Sequence, residues 1–160
     1  MKVKIRRITK RDVPSILEMS GEFIEEYRVS TKMKTKVSVE TALKYKKKIF
    51  ERDMGLGVGA VFVAEKDGIF LGYIFVLTFA PGMGNVKKYS PGYISDLHIR
   101  KGFRRKGIAK KLYRNAEKWL KVKKKKGITL DVGVYNKGAS GLYKNLGFEV
   151  KSVKMEKVLG

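Results

Sequence analysis

The six residues Arg104-Arg105-Lys106-Gly107-Ile108-Ala109 are where this sequence is best equipped for chemistry. They follow an apolar run that reads as a strand and open a periodic pattern that reads as a long helix. A glycine at such a junction lets backbone N–H groups approach an anion closely, and the helix N-terminus supplies about half a positive charge. Arg105, Lys106, Lys110 and Lys111 add positive charge around the same spot. A pyrophosphate would be well held there. Three phosphate-binding patterns compete. Gly102 and Gly107 have the spacing of G-x-x-x-x-G-K-S/T, but Ile108 and Ala109 stand where that loop needs Lys and Ser/Thr. Gly55, Gly57 and Gly59 imitate a dinucleotide fingerprint but precede a strand instead of a helix, so they are plain loop. The third pattern, Arg/Gln-x-x-Gly-x-Gly/Ala, is met at Arg104, Gly107 and Ala109.

Other chemistries are poorly supplied. The chain has no cysteine, which excludes disulfides, a cysteine nucleophile and thiolate metal sites and fits a reducing, cytoplasmic setting. His98 is the single histidine, so zinc sites and a serine–histidine triad are not expected. No apolar stretch is long enough to span a bilayer, and the basic start lacks the apolar run of a leader, so no membrane association is expected.

Net charge points elsewhere. The formal charge is +22 over 160 residues, a field that attracts polyanions such as nucleic acid or a phosphate-rich cofactor. Its distribution is uneven. Between Lys101 and Lys126, Glu117 is the only acid, whereas Asp12, Glu18, Glu22, Glu25 and Glu26 gather near the N-terminus.

The elements that must position the motif follow from hydrophobic period and turn chemistry. Residues 3–8 alternate as a half-buried strand; Asp12 and Pro14 start a helix that runs to about residue 28. Residues 30–36 are loop, 39–50 a second helix, and 60–66 and 69–79 two strands joined by Asp67-Gly68, a hairpin signal. A loop over 80–90 leads to a strand over 93–99, the long helix over 107–123, and a β-rich run over 128–134. A short helix over 137–145, with Gly147 as its C-cap, precedes a closing strand over 148–158. The order β-α-α-β-β-β-α-β-α-β, without repeat or linker, predicts one mixed α/β domain over residues 1–160 around a central sheet.

A second motif accompanies the first. Asn136, Ala139, Tyr143, Gly147 and Phe148 follow N-x-x-A-x-x-x-Y-x-x-x-G-F, and Ile5 to Asp12 looks like a first strand and turn. With the motif at Arg104–Ala109 and the element order, the chain resembles the GCN5-related N-acetyltransferases along nearly its whole length. The resemblance implies a central mixed sheet flanked by helices, acetyl-CoA as co-substrate, no metal, and direct acetyl transfer to an amine acceptor, small molecule or protein, in a ternary complex. It implies that backbone groups of Arg105, Lys106, Gly107, Ile108, Ala109 and Lys110, next to Arg104, hold the pyrophosphate. Main-chain groups of Leu97 and Ile99, flanking His98, would pair with the pantetheine arm, and the Leu97 N–H would stabilise the oxyanion. Asn136 would bond the cofactor arm, and Tyr143 would protonate the leaving thiolate. The family also suggests a homodimer, with residues 150–158 as an exposed strand.

An alkylamine of pKa near ~10.4 is uncharged in only a few parts in ten thousand at neutral pH, so the acceptor must lose a proton. Related diamine acetyltransferases carry a glutamate next to an aspartate on the fourth strand, where this chain has Ser95-Asp96. Ser95 cannot be that base. Asp96 is either the base or a structural carboxylate, and a water relay to Glu26 or Glu65 is an alternative. Tyr143 has a bland alternative as a packed helix aromatic, and His98 one as a structural residue. Glu22, Glu25 and Glu26 on the first helix either attract a cationic acceptor or form an ordinary solvated face. The basic charge leaves a nucleic-acid- or ribosome-associated binding protein as the alternative function, although no RNA-recognition, helix-turn-helix or zinc-finger pattern occurs.

Overall fold

A computed structural model describes residues 2–31, 38–80, 90–155 and 157. Strands β1 (Lys4–Arg7), β2 (Gly59–Lys66), β3 (Ile69–Leu77), β4 (Gly92–Ile99) and β5 (Ile128–Leu130) form one mixed sheet in sequence order. The first four are antiparallel neighbours and β5 joins β4 in parallel. Helices α1 (Val13–Thr31) and α2 (Val39–Gly55) cover one face, and α3 (Ile108–Val122) and α4 (Lys137–Asn145) the other. No helix among the described residues is long and apolar enough to cross a membrane.

Each element has a local cause. Asp67 and Gly68 both take positive φ, 51° and 78°, the twist a two-residue hairpin needs between β2 and β3. Arg6 ties β1 to the start of α1: its guanidinium donates to both oxygens of Asp12, at 2.8 and 2.9 Å, and to Glu65 at 2.7 Å. Asp12 in turn accepts the Thr9 N–H at 2.7 Å. Ser38 caps α2 by accepting from the Thr41 N–H, a cap that serine at this position is suited to make.

The sheet divides the core in two. On the α1/α2 side Ile16, Met19 and Phe50 pack against Val61, Val63, Tyr73 and Phe75. On the α3/α4 side Ile108, Leu112, Ala116 and Tyr143 pack against Phe62, Leu71, Ile74 and Val76. β3 is central and buried on both faces. It pairs with β4 around a bulge: Phe75 faces Asp96 and Val76 faces Ile94, so Ser95 has no partner across the ladder. The extra residue moves Asp96 onto the α1/α2 face and Leu97 back onto the α3/α4 face.

Some boundaries shift: α1 runs to Thr31 and α2 to Gly55, past the expected ends near residues 28 and 50, so of the three glycines expected as loop Gly55 closes α2 and Gly59 opens β2. Two larger expectations also change. β5 ends at Leu130 instead of running to residue 134, because β4 turns its edge away at the Ser95 bulge and the chain after Asp131 enters a turn, with the Asn136 N–H bonded to Gly133 O. The closing strand over 148–158 is not formed among the described residues; Val150, Val153 and Met155 are exposed. Their spacing explains it. Phe148 and Val150 share one strand parity, Val153 and Met155 the other, so no single face stays apolar. The observed order therefore ends at α4. The expected loops over 30–36 and 80–90 fall largely on residues 32–37 and 81–89, outside the described residues.

Candidate active site

β4 and β5 are paired only from Gly92 to Ile94 against Ile128 to Leu130. Beyond that they separate, and a cleft of about 840 Å³ opens between them. Strand alternation decides what β4 presents to it. The Arg100 N–H donates to Leu71 O of β3, so Leu97 and Ile99 turn their main-chain groups to the unpaired side. Leu97, His98 and Ile99 all line the cleft.

One wall of the cleft is the start of α3. Gly107 precedes the helix with φ 74° and has no side chain to cap it, so among the described residues the first amides of α3 have no acceptor. A Cβ on Gly107 would meet nothing within 4 Å, which means the space in front of these amides is open. Arg105 also adopts a positive φ, 62°, a conformation an L residue rarely holds. The resulting cradle of aligned N–H groups suits a pyrophosphate, and Arg105 and Lys110 border it. Lys106 turns away: its ammonium bonds Gly102 O at 3.0 Å and lies over the Phe103 ring. Arg104 braces the loop by donating to Ile99 O at 2.7 Å and pairing with Glu26 of α1.

The opposite wall is α4. Asn136 caps it, accepting the Ala139 N–H at 3.1 Å, and also lines the cleft. Tyr143 is buried edge-to-face on Phe148 and reaches the cleft. Burial, then the Asp96 charge, raises its hydroxyl pKa well above the ordinary value, so it carries its proton at neutral pH. Tyr27 of α1 and Tyr135 meet edge-on at 6.1 Å across the cleft.

The structure thus brings Leu97, His98, Ile99, Arg104, Arg105, Gly107, Ile108, Ala109, Lys110, Asn136, Tyr143 and Glu26 to one cleft. The acids have nearer partners than an incoming amine. Glu22 and Glu18 both bind Arg100, at 2.9 and 3.0 Å, Glu26 binds Arg104, and Glu25 lies 3.7 Å from Arg28. Glu65 is paired with Arg6 across from β1 and does not line the cleft. His98 is 3% exposed between the Phe23 and Tyr73 rings, and its Nε2 stands 3.5 Å from Glu22 with no hydrogen-bond partner among the described residues. Burial lowers its pKa, which keeps the imidazole neutral at neutral pH.

Asp96 is 7% exposed and forms a 2.9 Å ion pair with Lys46 of α2, a residue the sequence reading passed over. The Lys46 ammonium also stands 3.5 Å from Tyr73 Oη. Its only sequence signal is that it interrupts an apolar helical stripe between Leu43 and Phe50.

Comparison with known proteins agrees with this architecture. Residues 22–148 match the model of the acetyltransferase (GNAT) family. An uncharacterized N-acetyltransferase of Methanocaldococcus jannaschii is 33% identical over 149 residues; the match covers 93% of this chain but only 62% of that protein. A putative acetyl transferase from Pyrococcus furiosus superposes with a TM-score of 0.75 at 24% identity, covering 99% of this chain and all of that one. An aminoglycoside N-acetyltransferase in complex with coenzyme A gives 0.76 at 16% identity, with 99% and 95% coverage. At such identities the two structures speak for the fold, whereas the family match spans the fold and both motifs together, and the chain belongs to the acetyltransferase (GNAT) family.

Proposed function

We propose that this protein transfers the acetyl group of acetyl-CoA to a primary amine by direct attack in a ternary complex. The observation that carries the proposal is the cleft itself. The separated strands expose the main chain of Leu97 and the N–H of Ile99 at one end, Ile99 O being held by Arg104, and the amides of α3 lie at the other. Each residue then has a role. The N–H groups from Arg105 to Lys110 bind pyrophosphate, with Arg105 and Lys110 adding charge. Leu97 and Ile99 pair with the pantetheine arm, and the Leu97 N–H faces the oxygen where negative charge develops. Asn136 holds the arm through the amide group its capping bond leaves free. Tyr143, kept protonated by burial, donates to the departing sulfur. The aminoglycoside enzyme that shares the fold with coenzyme A bound is consistent with this use of the cleft.

Calorimetric titration with acetyl-CoA, dephospho-coenzyme A and a Gly107→Glu variant tests the proposal. Micromolar binding that Gly107→Glu loses is expected, because a carboxylate there would face the pyrophosphate. A folded protein that binds no acetyl-CoA would overturn it.

One observation favours a second reading as a polyanion-binding protein. Lys111, Arg114, Lys118 and Lys121 lie exposed along the outer face of α3 at helical spacing, away from the cleft. Retention of the Gly107→Glu variant on RNA, with affinity falling steeply with salt, would support it.

A further inference from the structure

Lys46 is placed where a lysine is seldom left. Its side chain is 16% exposed, and its ammonium is held by the Asp96 carboxylate at 2.9 Å. Three aromatic rings surround it: Phe23 at 5.7 Å, Phe50 at 5.8 Å and Tyr73 at 6.0 Å from Nζ to ring centroid. A carboxylate with aromatic faces is a receptor for an alkylammonium ion. As a stability device it is a poor choice, since a buried ion pair stabilises little more than apolar side chains of the same volume.

Its location is the informative part. Asp96 precedes Leu97, whose main chain opens on the cleft, and Phe23 belongs both to the cage and to the cleft wall. Asp96 also acts electrostatically on Tyr143 across the site. Phe23 is thus the wall that the cage, on the α1/α2 face, shares with the cleft; Lys46 and Asp96 do not themselves line it, so the Lys46 stem has to swing past Phe23 to meet a thioester there. Lys46 is a primary alkylamine on a flexible four-carbon stem, the functional group the proposed reaction consumes.

We propose that Lys46 is itself an acetyl acceptor: the enzyme acetylates this lysine in cis, and the Asp96, Tyr73, Phe23 and Phe50 cage is the ammonium subsite it occupies. The inference rests on the acetyl-transfer reading above. The Lys46 ammonium gives one proton to Asp96, which passes it to solvent. The freed nitrogen lone pair attacks the thioester carbonyl, a C–N bond forms and the C–S bond breaks. The coenzyme leaves as thiol, taking from Tyr143 a proton that is replaced by the second proton lost from nitrogen. Lys46 ends as a neutral amide, so the positive charge opposite Asp96 is gone.

The test is to incubate the protein with acetyl-CoA alone and map acetylation by peptide mass spectrometry over time. Lys44 and Lys47, whose side chains are 75% and 54% exposed, are internal standards for unaided reaction in solution. Expected is a single acetyl group at Lys46, appearing about a hundredfold faster than at Lys44, a modest part of what an oriented intramolecular amine can gain. Its rate should not change with protein concentration. Lys46→Arg should lose that adduct while still binding acetyl-CoA by calorimetry, and Gly107→Glu should lose both. Acetyl-CoA binding without acetylation of Lys46, or labelling that follows exposure with Lys44 ahead of Lys46, would overturn the inference and leave the enzyme reading intact. Absence of binding in the unmodified protein would overturn both.

Discussion

Gly72 gives the sharpest link between packing and the position of the site. It lies on β3 opposite Ile99, and a Cβ there would sit 2.4 Å from Ile99 Cδ1 and 2.6 Å from the His98 carbonyl oxygen. The isoleucine methyl can rotate away. The carbonyl cannot, because it belongs to the β3–β4 ladder. A relaxed carbon–oxygen contact needs roughly 3.3 Å, so Gly72→Ala must push β4 outward by about 0.7 Å at residues 97–99. Overpacking of this kind costs about 1–3 kcal/mol. In a domain of this size that lowers the melting temperature by about 2–12 °C. The same shift moves the Leu97 N–H, and misplacement approaching 1 Å can cost about a hundredfold in rate. Thermal melting and steady-state acetyl transfer measure the two effects, and acetyl-CoA affinity should fall as well, because the proposed pairing of Leu97 and Ile99 with the pantetheine arm is disturbed. Gly141→Ala is the control: that glycine lies inside α4 with nothing within 4 Å of a new Cβ, so alanine should stabilise the helix by about 0.5–1 kcal/mol. A Gly72→Ala protein that melts and turns over like the parent would refute the idea that this close approach sets the position of β4.

Three further outcomes follow from the site and its supports. Tyr143→Phe should lower kcat by about 10²–10⁴-fold while leaving acetyl-CoA affinity nearly unchanged, as measured by initial rates and calorimetry. Asp12→Asn should cost about 1–2 kcal/mol in urea unfolding, since it weakens the Arg6 pair and the Thr9 bond. Because Arg6 holds the Asp12 carboxyl well below the usual range, its stabilisation is present above about pH 4 and is lost in acid, so the variant should show a flatter stability profile there. His98 has its folded pKa lowered by burial. Its contribution is therefore complete above the ordinary value of 6.5 and falls as pH drops below it, and His98→Asn should flatten the melting-temperature profile between about pH 7 and 5.

What was readable in the sequence was what has local cause. The α3 motif, the Asp67-Gly68 hairpin and the amphipathic stripe of α3 each depend on residues a few positions apart, and all three stand in the structure. The features that escaped depend on distant partners. Lys46 and Asp96 are 50 positions apart, and Arg100 and Arg104 meet Glu22 and Glu26 across 78. The Ser95 bulge is likewise a property of the pairing with β3, and a strand period alone cannot announce it. Apolar content made residues 148–158 look like a strand, although the change of parity between Val150 and Val153 already argued against a one-sided one.

The acids of α1 show how partners alter the meaning of a charge pattern. In sequence Glu22, Glu25 and Glu26 suggest a negative field for a cationic acceptor. In space Glu22 and Glu26 grip Arg100 and Arg104, the residues that bracket the turn leading into α3. Arg104 at the same time holds Ile99 O, and Arg100 holds Phe70 O at 3.1 Å. The carboxylates therefore fix the approach of β4 to the start of α3, and their charge is largely spent on those two arginines. Among the described residues this leaves Arg105, Lys110 and Lys137 as cleft cations not engaged by α1. Neutralising Glu26 should accordingly act on acetyl-CoA through the geometry of the loop, and only weakly on the capture of an amine. The clean measure is the ratio of the two Michaelis constants in Glu26→Gln: a rise confined to acetyl-CoA supports the bracing role, and a rise confined to the amine restores the field.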